Sequence, residues 1–568
     1  LNPYLESLLK EKSSLEPETL TLFDLFMEDL DMGGRYGIFS EILEPRLEEI
    51  IREENIESIA NLMDGRLNTL FRYMLGDEFA GLFHTYLQLE ARCPHTIGYD
   101  RRAQRSANPS NHLDHARDAW LQFLKLRATG FSVEAILKGG NTPEDTEEFS
   151  GYMNSSYWLA AQIAQGNEKV IEYLNQVLTS ENNVHRLQRW YLHAIAISGY
   201  RPLLELEGKL LLAAKLQEGL RQAIVETMDE GCPESYLYLF SIIYNNGLQR
   251  FASVKRSIAV CTGIGEQDSS ERITNKYVEL IWNFLNHPET ARNALQSKDT
   301  VELYLALWSI GFYDTDEIRA IVPDIIRKGA KHQIQTLLYF LRCTQSSQMN
   351  HLISKDAFEV WHDDPKVVAA ILPLYMDGLY LSRYSDNKEA PTLSDYFESP
   401  EEAVRHYGYL KQVYQSISAK EIYSPYVFPW DCVVLTRSDV VHKMAYIAWM
   451  TNDIRLREEL CTYLPALESY SRASYIGIVL AHTESKVEQE YVLQSLGDRS
   501  SDIRDEAYKV LSEMSLSPEQ YQNIEELLRF KYSEMRINAI NLLMKQPEAQ
   551  LAASIRRLLS NKNAERRL

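Results

Sequence analysis

The 568-residue chain contains few residues that interrupt helices, with only 25 glycines and 19 prolines. Strand and hairpin signals are also scarce. The pairs Asp64-Gly65, Asn246-Gly247 and Asp377-Gly378 lie between helical patterns, where glycine caps a helix more readily than it turns a hairpin. These shortages predict an all-α protein.

Cysteine is rare and is never paired in sequence. The chain has six cysteines and no C-x-x-C spacing, which excludes a disulfide framework and favours buried thiols in a reducing compartment. Long apolar runs and a signal-peptide pattern are missing too, so the sequence predicts no membrane span and a cytoplasmic protein.

The usual signatures of catalysis are missing as well. Gly263-Ile264-Gly265 has no third glycine and no following Lys-Ser or Lys-Thr, so it is no phosphate loop. His112 and His115, with Asp114 and Asp118, could share one side of a helix, but two such pairs begin a metal site without completing it. The sequence therefore predicts no catalytic, cofactor-binding or metal-binding residues.

Basic residues are outnumbered. The formal net charge is −21, and residues 1–64 alone hold 16 acidic against 5 basic side chains. Such a balance disfavours binding to nucleic acid, because neutralising phosphates requires a basic track. The acidic end is either a solvated face or a surface for a basic partner.

The clearest positive signal is a repeat near the end of the chain. A Leu followed seven positions later by an apolar residue and then by Arg occurs at Leu496 and Leu528, and the pattern begins again at Leu558. Weaker copies extend upstream to about residue 434. The arginines are 32 and 30 residues apart, at Arg504, Arg536 and Arg566.

The spacing inside each unit is helical. Ile503, Ala507, Val510 and Leu511 form one apolar stripe, which requires a partner helix. A preceding helix is expected over 485–496, and Ser517-Pro518-Glu519-Gln520 signals the start of the next one. A period of about 30 residues is typical of stacked helix pairs. The arginines are interpreted as structural rather than as a row that binds a ligand.

The pattern Leu-x-Asp-x4-Ile-Arg-x2-Ala-x3-Leu from Leu496 to Leu511 resembles the HEAT repeat. This resemblance implies antiparallel helix pairs stacked into an α-solenoid of the HEAT or armadillo type, degenerate at the N-terminal end and clearest at the C-terminal end. The layout also resembles large bacterial proteins of uncharacterised function that are grouped with the molybdate metabolism regulator.

Three regions follow from the composition breaks. We expect an acidic helical region over 1–92, a degenerate repeat region over 112–381 and HEAT-like repeats over 401–568, continuing past Leu568 because the last unit is only begun. The polar loop from Cys93 to Asn111 is either a linker or a functional loop.

A proline-rich aromatic stretch, Tyr423 to Trp430, cannot be the interior of a helix. Its aromatic side chains either fold onto adjacent helices or dock a partner.

The sequence thus predicts a non-catalytic helical-repeat scaffold that binds a protein or peptide within a larger cytoplasmic protein. The alternative is an enzyme on a HEAT-like scaffold, similar to the bacterial alkylpurine DNA glycosylases or the phycobilin lyases. A basic concave surface lined by aromatic residues would favour nucleic acid, whereas an acidic or mixed surface with apolar patches would favour protein partners.

Overall fold

The computed structural model describes residues 76–90, 92–93, 154–179, 187–214, 217–263, 272–344, 347–385, 388–417, 422–425, 427, 432–530 and 532–560, with isolated positions between 10 and 46 and at 120 and 123. The loop that follows Cys93, the His112 to Asp118 pattern, Asp64-Gly65 and Arg566 all lie outside the described residues.

The described residues are almost entirely helical. They form the α-helices α1 Asp77–Glu90, α2 Asn154–Ala164, α3 Glu168–Thr179, α4 Arg189–Ser198, α5 Arg201–Ala213, α6 Glu218–Asp229, α7 Pro233–Asn246, α8 Ala252–Thr262, α9 Asn275–Asn286, α10 Pro288–Ala294, α11 Thr300–Tyr313, α12 Thr315–Lys328, α13 Lys331–Thr344, α14 Ser347–Trp361, α15 Pro365–Ile371, α16 Pro400–Ser416, α17 Arg437–Thr451, α18 Ile454–Leu460, α19 Ser469–Ile478, α20 Lys486–Ser495, α21 Ser501–Glu513, α22 Pro518–Glu525, α23 Ser533–Leu543 and α24 Glu548–Leu559. Short 3-10 turns lie at Lys12–Ser14, Leu248–Arg250, Leu393–Asp395, Leu464–Ala466 and Glu526–Arg529. The predicted all-α class is confirmed.

One small β-hairpin interrupts the helices. Strand β1, Ile422–Pro425, pairs antiparallel with β2, Cys432–Leu435, and the hairpin packs on α15. The prediction that the proline-rich stretch is not a helix is therefore right, but the strands were not predicted. Val434 was assigned to a helical repeat and instead lies in β2. Residues 426 and 428–431 lie outside the described part of the chain.

The chain forms two compact units. The first contains Leu1–Ile321 with Phe340–Ser346, and the second contains Val322–Tyr339 with Ser347–Leu568. None of the helices described is both long and apolar enough to cross a membrane.

In the first unit, helices pack on the helix two places later. Contacts of this kind join α2, α4, α6 and α8, and a second series joins α3, α5, α7, α9 and α11. Buried aromatic side chains of α11 donate hydrogen bonds to backbone carbonyls at the end of α8. Tyr304 donates from its hydroxyl to the carbonyl of Thr262 at 2.6 Å, and Trp308 donates from Nε1 to that of Cys261 at 3.1 Å.

The second unit repeats this pattern at its C-terminal end, where α18 packs on α20, α19 on α21, α20 on α22, α21 on α23 and α22 on α24. Stacked helix pairs make contacts of this kind. A continuous solenoid along the whole chain stays a prediction.

Helix boundaries expected from the sequence are found at α7, α20 and α22, but Gly378 lies in a turn beyond α15, whose C-cap is Leu372, and caps no helix. Ser517 caps α22 and forms a capping box with Gln520. Helix α20 follows its N-cap Ser485, within the predicted 485–496 segment. Gly247 and Gly263 end α7 and α8 with positive φ, as helix caps rather than as hairpin or phosphate-loop glycines.

Two arginines of the repeat join adjacent units, Arg504 and Arg472, which lies 32 residues before it. Nη2 of Arg504 lies 3.0 Å from Glu534, and Nη2 of Arg472 lies 2.8 Å from Asp498. These ion pairs agree with a structural role for the arginines.

Candidate functional site

The sequence predicted no site residues, but polar clusters and a cavity lie within the described part of the chain. The second unit holds three features of interest: a buried group of charged side chains around His406, a cavity beside Lys443, and an exposed apolar surface on α23 and α24.

Helices α14 and α16 bring six polar side chains together, and Tyr375 after α15 adds a seventh. Residues four positions apart share a helical face, which places them toward the facing helix. The His406 cluster consists of Lys355 and Glu359 on α14, Tyr375 after α15, and Glu402, Arg405, His406 and Tyr409 on α16.

His406 lies at the centre of this cluster and is completely buried. Its Nε2 lies 2.9 Å from Oε1 of Glu359, and its Nδ1 lies 2.8 Å from the hydroxyl of Tyr375. A carboxylate only accepts, so Nε2–H donates to Glu359 and Nδ1 accepts from Tyr375. Burial lowers the pKa of His406 although Glu359 opposes this shift, and the imidazole is neutral at pH 7.

Glu359 receives hydrogen bonds from three residues of α16. Arg405 donates to Oε1 from Nε at 3.1 Å and from Nη2 at 2.7 Å, and Tyr409 donates to Oε2 at 3.1 Å. Burial would raise the pKa of the Glu359 carboxyl, but the hydrogen bonds from Arg405 and Tyr409 and the charge of Arg405 lower it overall. Glu359 is therefore ionised, and both of its carboxylate oxygens accept hydrogen bonds from α16.

Glu402 and Lys355 form a second ion pair in the cluster. Nζ of Lys355 lies 3.1 Å from Oε1 of Glu402, and both side chains are largely buried. The other Glu402 oxygen accepts from the backbone N–H of Glu398 at 2.6 Å. Burial favours a raised pKa for Glu402, but the hydrogen bonds from Glu398 and Lys355 lower it.

Glu359, Glu402 and His406 could together hold a metal ion, because one ligand atom of each lies within 4.8 Å of the others. Two carboxylates and an imidazole suit zinc or manganese. However, Arg405 and Lys355 already neutralise the carboxylates, and the proton on Nε2 of His406 points at Glu359. We interpret the cluster as a structural network that joins α14 to α16.

This interpretation predicts that added Zn²⁺ or Mn²⁺ leaves the midpoint of thermal unfolding unchanged, because a ligand that bound the native state would raise it. The variant Lys355→Met should unfold at lower temperature, since it leaves Glu402 buried and unpaired. Zn²⁺ should then partly restore the midpoint by taking the place of the ammonium. A rise in the midpoint of the wild type with Zn²⁺ would identify the cluster as a metal centre.

His351 has a purely structural environment. Its Nδ1 accepts from the backbone N–H of Met376 at 2.8 Å, and its Nε2 donates to the carbonyl of Tyr396 at 3.0 Å. Burial lowers the pKa of His351 to about 4, so the ring stays neutral. The bond to Met376 stabilises a backbone with φ 52°, which is rare for a residue other than glycine.

A cavity of about 300 Å³ lies between α15, β2 and α17. Leu372, Leu435 and Tyr446 contribute apolar walls, and His442 and Lys443 contribute polar atoms. Burial lowers the pKa of Lys443 to about 8. Burial and the nearby Lys443 charge also lower the pKa of His442. A cavity with these properties can bind a small molecule.

Helices α23 and α24 expose large apolar side chains. Ile537 and Ile540 on α23 and Met544 at its C-cap share one face and are 56%, 48% and 63% exposed. On α24, Ile555 and Leu559 are 46% and 62% exposed. We call these five residues the apolar stripe.

The His406 cluster, the cavity and the stripe were not predicted from the sequence, each for a different reason. The spacing Glu402-x3-His406 was a readable signal for one helical face, but its partner Glu359 is 43 positions away from Glu402. The cavity depends on the unpredicted hairpin. The stripe could have been found by comparing the exposed positions of successive repeats.

Comparison with known proteins identifies a family but no function. No curated protein and no solved structure matched the chain. A family profile described as "Family of unknown function (DUF5724)" matches residues 22–568, which is nearly the whole chain. The chain belongs to this family.

Proposed function

We propose that this chain is a non-catalytic, cytoplasmic helical-repeat scaffold, and that it binds a partner protein through the apolar stripe. The observation that carries the proposal is the exposure of Ile537 and Met544 at repeat positions where the preceding unit has the polar residues Asp505 and Ser512. Cys232 and Cys461 are buried and form no disulfide, which agrees with a reducing compartment.

Helices α21 and α23 are equivalent in the repeat, with an offset of 32 residues. Their buried positions carry similar apolar residues: Ile503, Ala507, Val510 and Leu511 correspond to Met535, Ala539, Leu542 and Leu543. Packing inside the repeat therefore explains the apolar residues on the buried face of α23. It does not explain the exposed apolar residues of the stripe.

The exposed positions differ in chemistry. The exposed Asp505 of α21 is replaced by Ile537 in α23, and the half-buried Ser512 is replaced by Met544. A solvent-facing position gains nothing from Ile or Met in an isolated chain. Apolar residues clustered on a surface usually mark an interaction site.

The charges around the stripe suggest the chemistry of the partner. Residues 529–557 contain six basic and two acidic side chains, although the whole chain has a net charge of −21. Arg536 lies next to Ile537 in sequence, and the exposed Arg556 lies next to Ile555. The partner surface we propose is an amphipathic helix with an apolar face and acidic flanks.

We expect the double variant Ile537→Asp, Met544→Ser to fold as well as the wild type and to lose binding. The probe is a fluorescein-labelled synthetic helix with leucines on one face and glutamates on the other. Fluorescence anisotropy should show at least about tenfold weaker binding by the variant, because burying one such side chain stabilises a complex by about 1.5–3 kcal/mol.

A matched peptide with lysines in place of the glutamates serves as the control and should bind more weakly than the acidic one. Equal binding of both peptides, or equal binding by wild type and variant, would contradict the proposal. Sedimentation analysis of the unliganded protein tests whether a second copy of the chain, rather than a partner helix, occupies the apolar stripe. Self-association that the double variant abolishes would show that a second copy covers the stripe instead.

A further inference from the structure

The cavity beside Lys443 lies on elements different from those of the apolar stripe and supports an independent inference. Strand β2 packs on α15, and α17 follows β2 after a single residue, Thr436. This arrangement places apolar side chains of α15 and β2 opposite Lys443. A volume of about 300 Å³ is at the small end of the range for ligand sites, about 300–1,000 Å³.

Lys443 has no ion-pair partner within the described residues. The nearest acidic groups are engaged elsewhere. Oδ2 of Asp439 accepts from the backbone N–H and the hydroxyl of Thr436 at 2.8 and 2.7 Å, in the capping box of α17. Oδ1 of Asp377 accepts from the N–H of Gly378 at 2.9 Å. Both carboxylates act on Lys443 through their charge but neither contacts it.

The Lys443 side chain is half-buried and no anion of the described residues contacts its ammonium, although even partial burial of an unpaired charge is costly. The Tyr446 ring offers weak compensation, with Nζ of Lys443 5.6 Å from its centroid. An anion that entered the cavity would supply the missing partner, and its apolar portion would contact Leu372 and Leu435. His442 beside it contributes a neutral imidazole that can donate one hydrogen bond.

We propose that this cavity binds a small organic monocarboxylate, with the carboxylate at Lys443 and the apolar body against α15 and β2. A monocarboxylate fits better than a phosphate ester, because a single lysine and one neutral imidazole offer too few donors for a dianion. The carboxylate also matches an environment that is otherwise apolar.

The test compares benzoate and hexanoate with their neutral isosteres benzamide and hexanamide, using the full chain and isothermal titration calorimetry at pH 7. We expect each carboxylate to bind roughly tenfold or more tightly than its amide, because the charge-assisted hydrogen bond to Lys443 is absent from the amide complex. The variant Lys443→Met keeps the volume of the side chain and should lose this preference.

The matched control is Lys366→Met. Lys366 lies on α15 but is exposed, so its removal should leave the preference for benzoate over benzamide intact. Thermal unfolding of each variant shows whether it is folded. Equal affinity for acid and amide, no binding of any of the four probes, or an unchanged preference in Lys443→Met would overturn the proposal.

The pH dependence provides a second readout. The titratable groups facing the cavity are Lys443, His442, Asp439 and Tyr446, and Asp377 adds its charge from the turn after α15. Of these, Lys443 has a pKa of about 8 in the unliganded protein. Benzoate affinity should therefore fall as the pH rises through 8, and affinity that is constant from pH 7 to 9 would contradict the assigned role of Lys443.

Failure of this proposal is distinguishable from failure of the proposed scaffold function. The carboxylate test uses residues of α15, β2 and α17, whereas the peptide test uses residues of α23. Each variant can be assayed with the other probe, and we expect each to behave there like the wild type.

Discussion

Replacing Glu488 by Gln is expected to destabilise the protein by about 3 kcal/mol or more, because it breaks a buried ion pair and leaves one charge uncompensated. Glu488 on α20 is completely buried. Arg457 on α18 donates to its two oxygens from Nε at 2.9 Å and from Nη2 at 2.8 Å, and Thr483 donates its hydroxyl to the same carboxylate.

A double variant distinguishes the cost of an uncompensated buried charge from a nonspecific loss of stability on mutation. In the double variant Arg457→Met, Glu488→Leu, both charges are replaced by apolar groups, so no buried charge is left without a partner. Its free energy of unfolding should recover most of the loss. Urea denaturation followed by circular dichroism measures each value.

An exposed pair supplies the control for Glu488. Asp324 and Lys328 are 73% and 77% exposed and lie 3.0 Å apart. Asp324→Asn should change stability by less than about 1 kcal/mol, because exposed ion pairs contribute little. If Glu488→Gln were as mild as Asp324→Asn, the pair would not be the junction between α18 and α20 that we describe.

Replacing Glu207 by Leu is expected to stabilise the protein. Glu207 on α5 is completely buried, and neither of its carboxyl oxygens has a hydrogen-bond partner within the described part of the chain. Its neighbours on the buried face of α5 are Leu203, Leu204, Gly208 and Leu211. Removing an unsatisfied buried polar group should add about 1–3 kcal/mol at neutral pH.

The gain should depend on pH in a defined direction. Burial raises the pKa of Glu207 well above its ordinary value, so the folded state holds its proton more tightly than the unfolded state. The wild type therefore loses stability as the pH rises above the unfolded value of about 4.3. A leucine side chain does not titrate, so the advantage of Glu207→Leu should be larger at pH 8 than at pH 5.

Glu205 provides the comparison on the same helix. It is exposed and pairs with Arg201, four residues earlier. Glu205→Leu should neither stabilise the protein nor change the pH dependence of unfolding. An advantage of Glu207→Leu that was constant or shrank between pH 5 and pH 8 would show that Glu207 is ionised in the folded state.

The two residues illustrate different uses of buried charge. Glu488 is matched by Arg457 from the preceding repeat, as expected of an interface between stacked helix pairs. Glu207 has no such partner within the described residues, and nothing in the structure assigns it a ligand. The alternative of an enzyme on this scaffold stays a prediction.

Local features were predictable because they depend on neighbouring residues. The apolar spacing of Ile503, Ala507 and Val510 predicted a helix, and α21 buries these residues. The Ser517 capping box was readable because its two partners are three residues apart. Ser399 caps α16 by accepting from the N–H of Glu402, whereas the Glu402 carboxylate accepts from the N–H of Glu398 and does not close a capping box on Ser399.

The hairpin was missed because each strand has only four residues, too few to show a clear alternation. Its strands are also stabilised by packing on α15, more than fifty positions earlier. The same contact creates the cavity, so the low pKa of Lys443 could not be inferred from its neighbours in sequence. A lysine within a helical pattern is ordinarily solvent-exposed.

The sequence by itself determined the helical class, the caps and the repeat period, because backbone propensity, capping and apolar spacing act over a few residues. The tertiary structure alone decided which charges are paired and which are buried alone. Glu359 meets His406 and Glu488 meets Arg457 across 47 and 31 positions. The free energy of a buried charge depends on what the folded chain places within a few ångströms of it, and no local pattern specifies that.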